Sequence, residues 1–427
     1  MRCRQGRVLM ALSAAALAAI ESATASAAND SQSTKAIDPS LKITAEPVGR
    51  IAGGKEGGIY SAQQVELDLK FNWAKIVNLD GLTSHVTFVN RTGENASLRL
   101  LGDNIFQSQA VYGGTNHKPI HLVQAYFEDK LSDGKWDLAA GRLPVGEAFA
   151  SSPLYCDFMN TALCGYPHAL GAKQGFSTFP NSTWGARVKL APSKQFYFQT
   201  GAYQVRPRAG GPWGFDWGWS GTTGTYVPVE IGWEPKLGGN SLPGHYKVGA
   251  GYDTSLYPDN FADRNGNSFV LSGLPHRERR GRHSFYVLAD QMVDRHGEGD
   301  QNGLVLMAGA VHSRPINSQI SGFVFAGLAD QGLVRGRPKD TIGLLFAYAK
   351  ISDSAIQTQR LQQASGLPLL YGAKGVQSHE ALIEARYDLV FGKHWHVMPD
   401  LQYVIRPGAT SAQRNGLLGG LRLTAKF

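Results

Sequence analysis

The chain has 427 residues, 42% of them hydrophobic, with a formal charge of +8, 51 glycines and three cysteines. After residue 20 no apolar run approaches the ~18 residues a transmembrane helix needs, so a membrane could be crossed only by strands closed into a barrel. The mild positive excess comes without an interleaved basic and aromatic motif, which argues against a nucleic-acid partner. The densest basic run, Arg277 to Arg282, reads as a solvated loop.

Arg2, Arg4 and Arg7 form a positive head, Val8 to Ile20 an apolar stretch, and Ala25-Ser26-Ala27 a small-residue cleavage site. This is the pattern of a secretory signal, and it predicts a mature chain beginning at Ala28. Residues 28–60 are polar and rich in Ser, Lys and Gly, and read as a periplasmic leader ahead of the barrel at 61–427.

Strand signals begin at Gln64. Val65, Leu67, Leu69, Phe71 and Trp73 alternate with Glu66, Asp68, Lys70 and Asn72. That period of two puts apolar side chains on one face and charged ones on the other. It returns with Arg187 and Lys189 between Trp184 and Leu190, with Glu230 and Glu234 alternating with Val227, Val229, Ile231 and Trp233, and with Lys247 and Asp253 around Tyr246 to Tyr252. It recurs with Asp290, with Glu384 and Arg386 between Ile383 and Tyr387, with Asp400 before Leu401, and with Arg422 in the terminal stretch Leu421 to Phe427. About fifteen such segments are countable. Bacterial barrels have even strand numbers, so sixteen strands are expected, with eighteen as the alternative. A soluble sandwich would bury those charges at several kcal/mol each, whereas a water-filled lumen keeps them hydrated. The fold class is therefore all-β, a closed antiparallel transmembrane β-barrel.

Residues 141–167 read GRLPVGEAFASSPLYCDFMNTALCGYP. With Trp184-Gly185, Asp290-Gln291, Gly336-Arg337, Pro399 to Tyr403, Gly420-Leu421-Arg422 and Phe427, this stretch resembles the carbohydrate-selective porin family of the bacterial outer membrane (OprB-like). The resemblance spans about residues 60–427. It implies a sixteen-stranded barrel passing glucose-like sugars by passive diffusion, without cofactor or metal and without enzymatic activity. It also implies outer-membrane lipid around the wall and recognition of the terminal strand ending in Phe427 by the barrel-assembly machinery. It leaves the oligomeric state open.

The candidate lumen-lining residues are Glu66, Asp68, Lys70, Arg142, Arg187, Glu230, Asp290, Glu384, Arg386, Asp400 and Arg422. Arg142 shares the parity of Trp136 and Leu138, so a bulge near Ala139-Ala140 is needed to turn it inward. Trp213, Trp217 and Trp219 lie in a Gly-rich loop, residues 210–224, and are candidates for stacking on sugar rings, but loop packing or interface anchoring is the reading the sequence favours. Cys156 and Cys164, with seven residues between them in an exported chain, predict one disulfide. Rival readings are a structural or adhesive barrel and a barrel-embedded hydrolase, but no Gly-x-Ser-x-Gly elbow is present. His394-x-His396 and the pair His117/His121 lack the further ligands that a metal site requires.

Overall fold

The computed structural model describes residues 35–111, 118–171, 175–207, 211, 213–239, 241–296 and 302–427. The signal segment and His117 lie outside the described residues. The wall is built from β1 (Ile37–Gly53), β2 (Ile59–Asn72), β3 (Leu82–Gly93), β4 (Lys118–Leu131), β5 (Trp136–Leu143), β6 (Thr183–Leu190), β7 (Phe196–Val205) and β8 (Gly224–Trp233). A two-residue strand, β9 (Lys236–Leu237), pairs with the start of β10 (Leu242–Asp263). The wall continues through β11 (His276–Arg295), β12 (Gly303–Ser313), β13 (Ile320–Gln331), β14 (Thr341–Ile351), β15 (His379–Phe391), β16 (Trp395–Ile405) and β17 (Gly416–Lys426).

Each wall strand pairs antiparallel with its chain neighbours, and β1 pairs with both β2 and β17. Sixteen strands and the short β9 thus close a barrel. Closure leaves no sheet edge, so every ladder group can be paired inside the wall, as hydrocarbon demands. Among the described residues no helix is long and apolar enough to cross a membrane.

One expectation is corrected here. Residues 28–34 lie outside the described residues, and the rest of the 28–60 segment is not a leader outside the barrel: Ile37–Gly53 is the sixteenth strand, the one missing from the count of fifteen. Its pattern was concealed by Pro39 and Pro47, which cannot donate to the ladder and so weaken a strand reading. Pairing on both flanks overrides that local signal.

The two ends of the barrel differ. At the end where β1 begins and β17 finishes, Leu41 and Phe427 exchange backbone hydrogen bonds of 3.0 and 2.8 Å, and the connections are short turns such as residues 132–135 and 392–394. Short turns mark the periplasmic side of such barrels. Aromatic side chains ring this end: Trp73 against Phe71 and Phe127, Trp233 between Phe196 and Tyr246, and Trp395 against Phe427. The opposite, extracellular end carries the long loops, including the described residues of 94–111, 144–182, 206–223 and 352–378, the last containing the helix Asp353–Ala364.

The hydrophobic core lies inside the barrel, not between layers. Phe149, Phe158, Met159, Leu163 and Phe176 of the 144–182 loop are fully buried and pack against inward-facing Tyr203, Tyr226, Phe323 and Phe325. At roughly 1.5–3 kcal/mol for each large apolar side chain buried, this cluster favours a folded-in loop strongly.

Candidate functional site: the constricted lumen

The 144–182 loop crosses the lumen and is fastened to the far wall by groups more than 220 residues away in sequence. Met159 and Asn160 donate their backbone N–H groups to the Glu384 carboxylate at 2.6 and 3.2 Å. Asn160 Nδ2 donates to Gln402 Oε1 at 2.9 Å. Arg422 donates to the carbonyls of Cys156 and Phe158 at 2.9 and 3.0 Å, and its Nε to Glu46 Oε1 at 2.6 Å. Arg386 pairs with Asp157 at 3.2 Å and lies over the Phe158 ring. On the near wall, Glu230 accepts from Ala150 N–H at 2.8 Å and from Tyr197, Gln199 and Tyr286 at 2.7 Å each. Lys247 reaches the Ser151 carbonyl at 2.5 Å.

The wall is shaped to receive the loop. A Cβ on Gly420 would stand 2.2 Å from Met159 Cε, so glycine there permits the loop to lie against β17. A second loop, residues 94–111, is held in the same way: Ile105 and Phe106 donate N–H groups to Glu380 at 2.8 and 2.9 Å, which also accepts from Gly408 of the β16–β17 connection at 2.6 Å, and Val111 donates to Glu46 at 3.0 Å. Buried carboxylates accepting several N–H bonds are the rule by which these loops are pinned.

What remains open inside the wall is a cavity of 1580 Å³ with charged side chains in its lining. Among the described residues its lining contains eight acidic and seven basic side chains, so neither sign dominates the route.

The sequence-predicted residues do not share one role. Glu66, Asp68, Asp290, Arg386 and Arg422 line this cavity, Asp290 beside His245 at 2.5 Å. Lys70 is registered opposite Asp38 and His85 on the same inward parity. Arg187 bridges Asp137 and Glu128 at 2.8 and 3.0 Å, bracing the wall. Glu230, Glu384 and Asp400 face inward but are buried under the loops, Asp400 against Glu384 and Gln402, so they anchor and do not line.

Three readings are corrected. No register shift occurs in β5, and Arg142 keeps the parity of Trp136 and Leu138 opposite Trp184; it binds the carbonyls of Ser182 and Asp216 at 2.7 and 3.3 Å and does not line the cavity. Trp213, Trp217 and Trp219 lie along the outer side of the rim, exposed and away from the cavity lining, because the loop carrying them is tied to Leu122, Arg142 and Trp184. Cys156 and Cys164 stand beside each other as thiols, and the expected disulfide is not formed in this structure. The sequence reading missed Glu46, because its strand was missed, and Glu380, although Glu380, Glu384 and Arg386 share one face of β15 by simple alternation. His394 binds the Lys426 carbonyl and His396 binds Asp388, so the two do not converge.

The comparison with known proteins follows this geometry. The carbohydrate-selective porin, OprB family, matches residues 55–427. The chain belongs to this family. Porin B of Pseudomonas aeruginosa is 31% identical over 92% of this chain and 88% of its own length. The putative porin QuiX of Acinetobacter baylyi is 25% identical over 90% and 89%. The high-pH structure of Pseudomonas putida OprB superposes with a TM-score of 0.86 at 29% identity, covering 92% of this chain and 94% of that one. This carbohydrate-selective porin is therefore an outer-membrane barrel, and the members of its family are channels and not enzymes.

Proposed function

We propose that the chain carries neutral, hydroxyl-rich solutes of glucose size by passive diffusion, from the long-loop end to the short-turn end. The observation that carries this reading is the pinned 144–182 loop beside a lining of balanced charge. A lumen of one sign would concentrate counter-ions. Interspersed carboxylates, guanidiniums and ammoniums offer both acceptors and donors to hydroxyl groups, each contact weak enough to release the solute. Glu66, Asp68 and Asp290 are the side chains we assign to the solute path. The chain is exported by cleavage after Ala27, and its final strand, with Phe427 stacked on His394 at the membrane edge, is the element offered to the assembly machinery.

Swelling of liposomes containing the purified barrel tests the proposal. Glucose-sized sugars are expected to enter faster than zwitterions of the same size. Vesicles holding folded barrels that stay closed to every sugar would overturn the reading, and a mature protein beginning at Met1 would overturn the export step.

A further inference from the structure

The barrel wall is uneven. β5 and β6 have eight residues each, below the ~9–11 that a tilted transmembrane strand needs. β5 pairs only with Ala125–Leu131 of β4, so the upper stretch of β4 has no β5 residue beside it. The rim loop occupies that notch. Leu122 N–H donates to the Trp213 carbonyl at 3.1 Å, continuing the ladder where β5 stops. Gly214 has a positive φ of 70°, and a Cβ there would stand 2.2 Å from the Leu122 carbonyl, so the close approach requires glycine. Arg142 and Arg206 both bind the Asp216 carbonyl, and Arg206 also pairs with its carboxylate at 2.7 Å.

This fastening turns the loop's aromatic side chains outward. Phe215 lies 6.5 Å from Phe88, which the register places on the lipid-facing parity opposite Leu67. Trp217 packs edge-on against Trp184 at 5.8 Å, and the Trp184 indole N–H donates to the Trp217 carbonyl at 2.9 Å. Trp213, Phe215, Trp217 and Trp219 are 55, 56, 40 and 67% exposed. They continue the outer apolar band directly above the two short strands.

We propose that this loop is a lipid-interface clasp: its four aromatic side chains sit at the headgroup level of the outer leaflet and complete the apolar band where the wall is too low. The occupant is lipid because the patch is continuous with the lipid-facing wall and lies at the height where interfacial Trp belongs. Without the loop, β5 and β6 would force the bilayer to thin locally.

The test uses the full mature barrel in phosphatidylcholine bilayers brominated near the glycerol end of the acyl chains. The emission lost in a Trp213→Phe/Trp217→Phe/Trp219→Phe variant reports the loop's own share, and Trp219→Phe alone serves if the triple variant does not fold. That share is expected to fall about twofold or more in brominated bilayers, as for indoles in an aromatic belt. An unchanged share overturns the proposal. So does a wild-type oligomer that falls apart in the variant, which would assign the patch to a second copy. Loss of sugar flux in a variant of normal fold would also overturn it, returning the loop to a solute-stacking role.

Discussion

Two loops leave the same rim and go opposite ways. Residues 144–182 turn into the lumen; residues 206–223 turn over the outer side. Both are rich in glycine and aromatics, so composition does not separate them. The difference lies in the anchors. The inward loop meets carboxylates on lumen-facing positions, Glu230 and Glu384, which accept its backbone N–H groups. The rim loop meets Arg142, on the other parity, which donates to its backbone carbonyl. Arg142 also takes the Ser182 carbonyl at the foot of the inward loop, so strand parity separates where the body of each loop lies and not every one of its contacts.

The largest effect is expected from Glu384→Ala. It leaves the buried N–H groups of Met159 and Asn160 without an acceptor, at about 1–3 kcal/mol for each orphaned donor. The inward loop should loosen, single-channel conductance should rise, and the temperature at which the barrel unfolds in detergent should fall. Unchanged conductance would mean that the apolar cluster around Phe158 holds the loop without its anchor. Glu384→Gln keeps one acceptor and should fall between the variant and the wild type.

Arg142→Ala breaks the other half of the comparison. The carbonyls of Ser182 and Asp216 lose a charged donor, while Arg206 still holds Asp216. Proteolysis in the rim loop should accelerate, with sugar flux unchanged, at a stability cost of about 1–3 kcal/mol. A change in sugar selectivity in this variant would place Arg142 on the solute path after all.

The Cys156/Cys164 pair sharpens the inward half. The thiols are already in contact, so a mild oxidant such as diamide should close a disulfide without moving the loop, and maleimide labelling should disappear. Cys156→Ser should alter conductance much less than Glu384→Ala, because Arg422 grips the Cys156 carbonyl and not its sulfur. Persistent labelling after oxidation would show that the loop holds the sulfurs apart.

These contrasts also mark what the sequence reveals. Alternation exposed fifteen wall strands and put Arg422, Arg386 and Glu66 on the inner face, because a lipid-facing wall enforces period two at every strand. It did not expose β1, whose two prolines are tolerated only because both neighbours supply the remaining ladder bonds. Nor could it separate Glu384 the anchor from Asp290 the liner. Both sit on inward parity, and only the fold brings Met159 to the first, across more than 220 residues. Arg142 was legible as an exception to parity; a bulge was invoked where the register simply holds.

The smallest effect belongs to the end with short turns, where no loop needs steering. His296, in the turn after β11, binds Asp330 through Nε2 at 3.1 Å and faces Asp294 at 3.5 Å. The hydrogen bond to Asp330 outweighs desolvation and raises the imidazole above its ordinary 6.5. The protonated ring is therefore favoured in the folded barrel. Its contribution is fully present below pH 6.5, where folded and unfolded chains both bind the proton, and it is lost as pH rises through the raised folded value. Asp330→Asn should bring the His296 titration, followed by its ring resonances, back toward 6.5, while neither the inward nor the rim loop responds. A native titration at or below 6.5 would show that Asp330 does not hold the proton. A shift in pore conductance with the same midpoint would mean that the two ends of the barrel are coupled, contrary to the separate anchoring of the loops at the far rim.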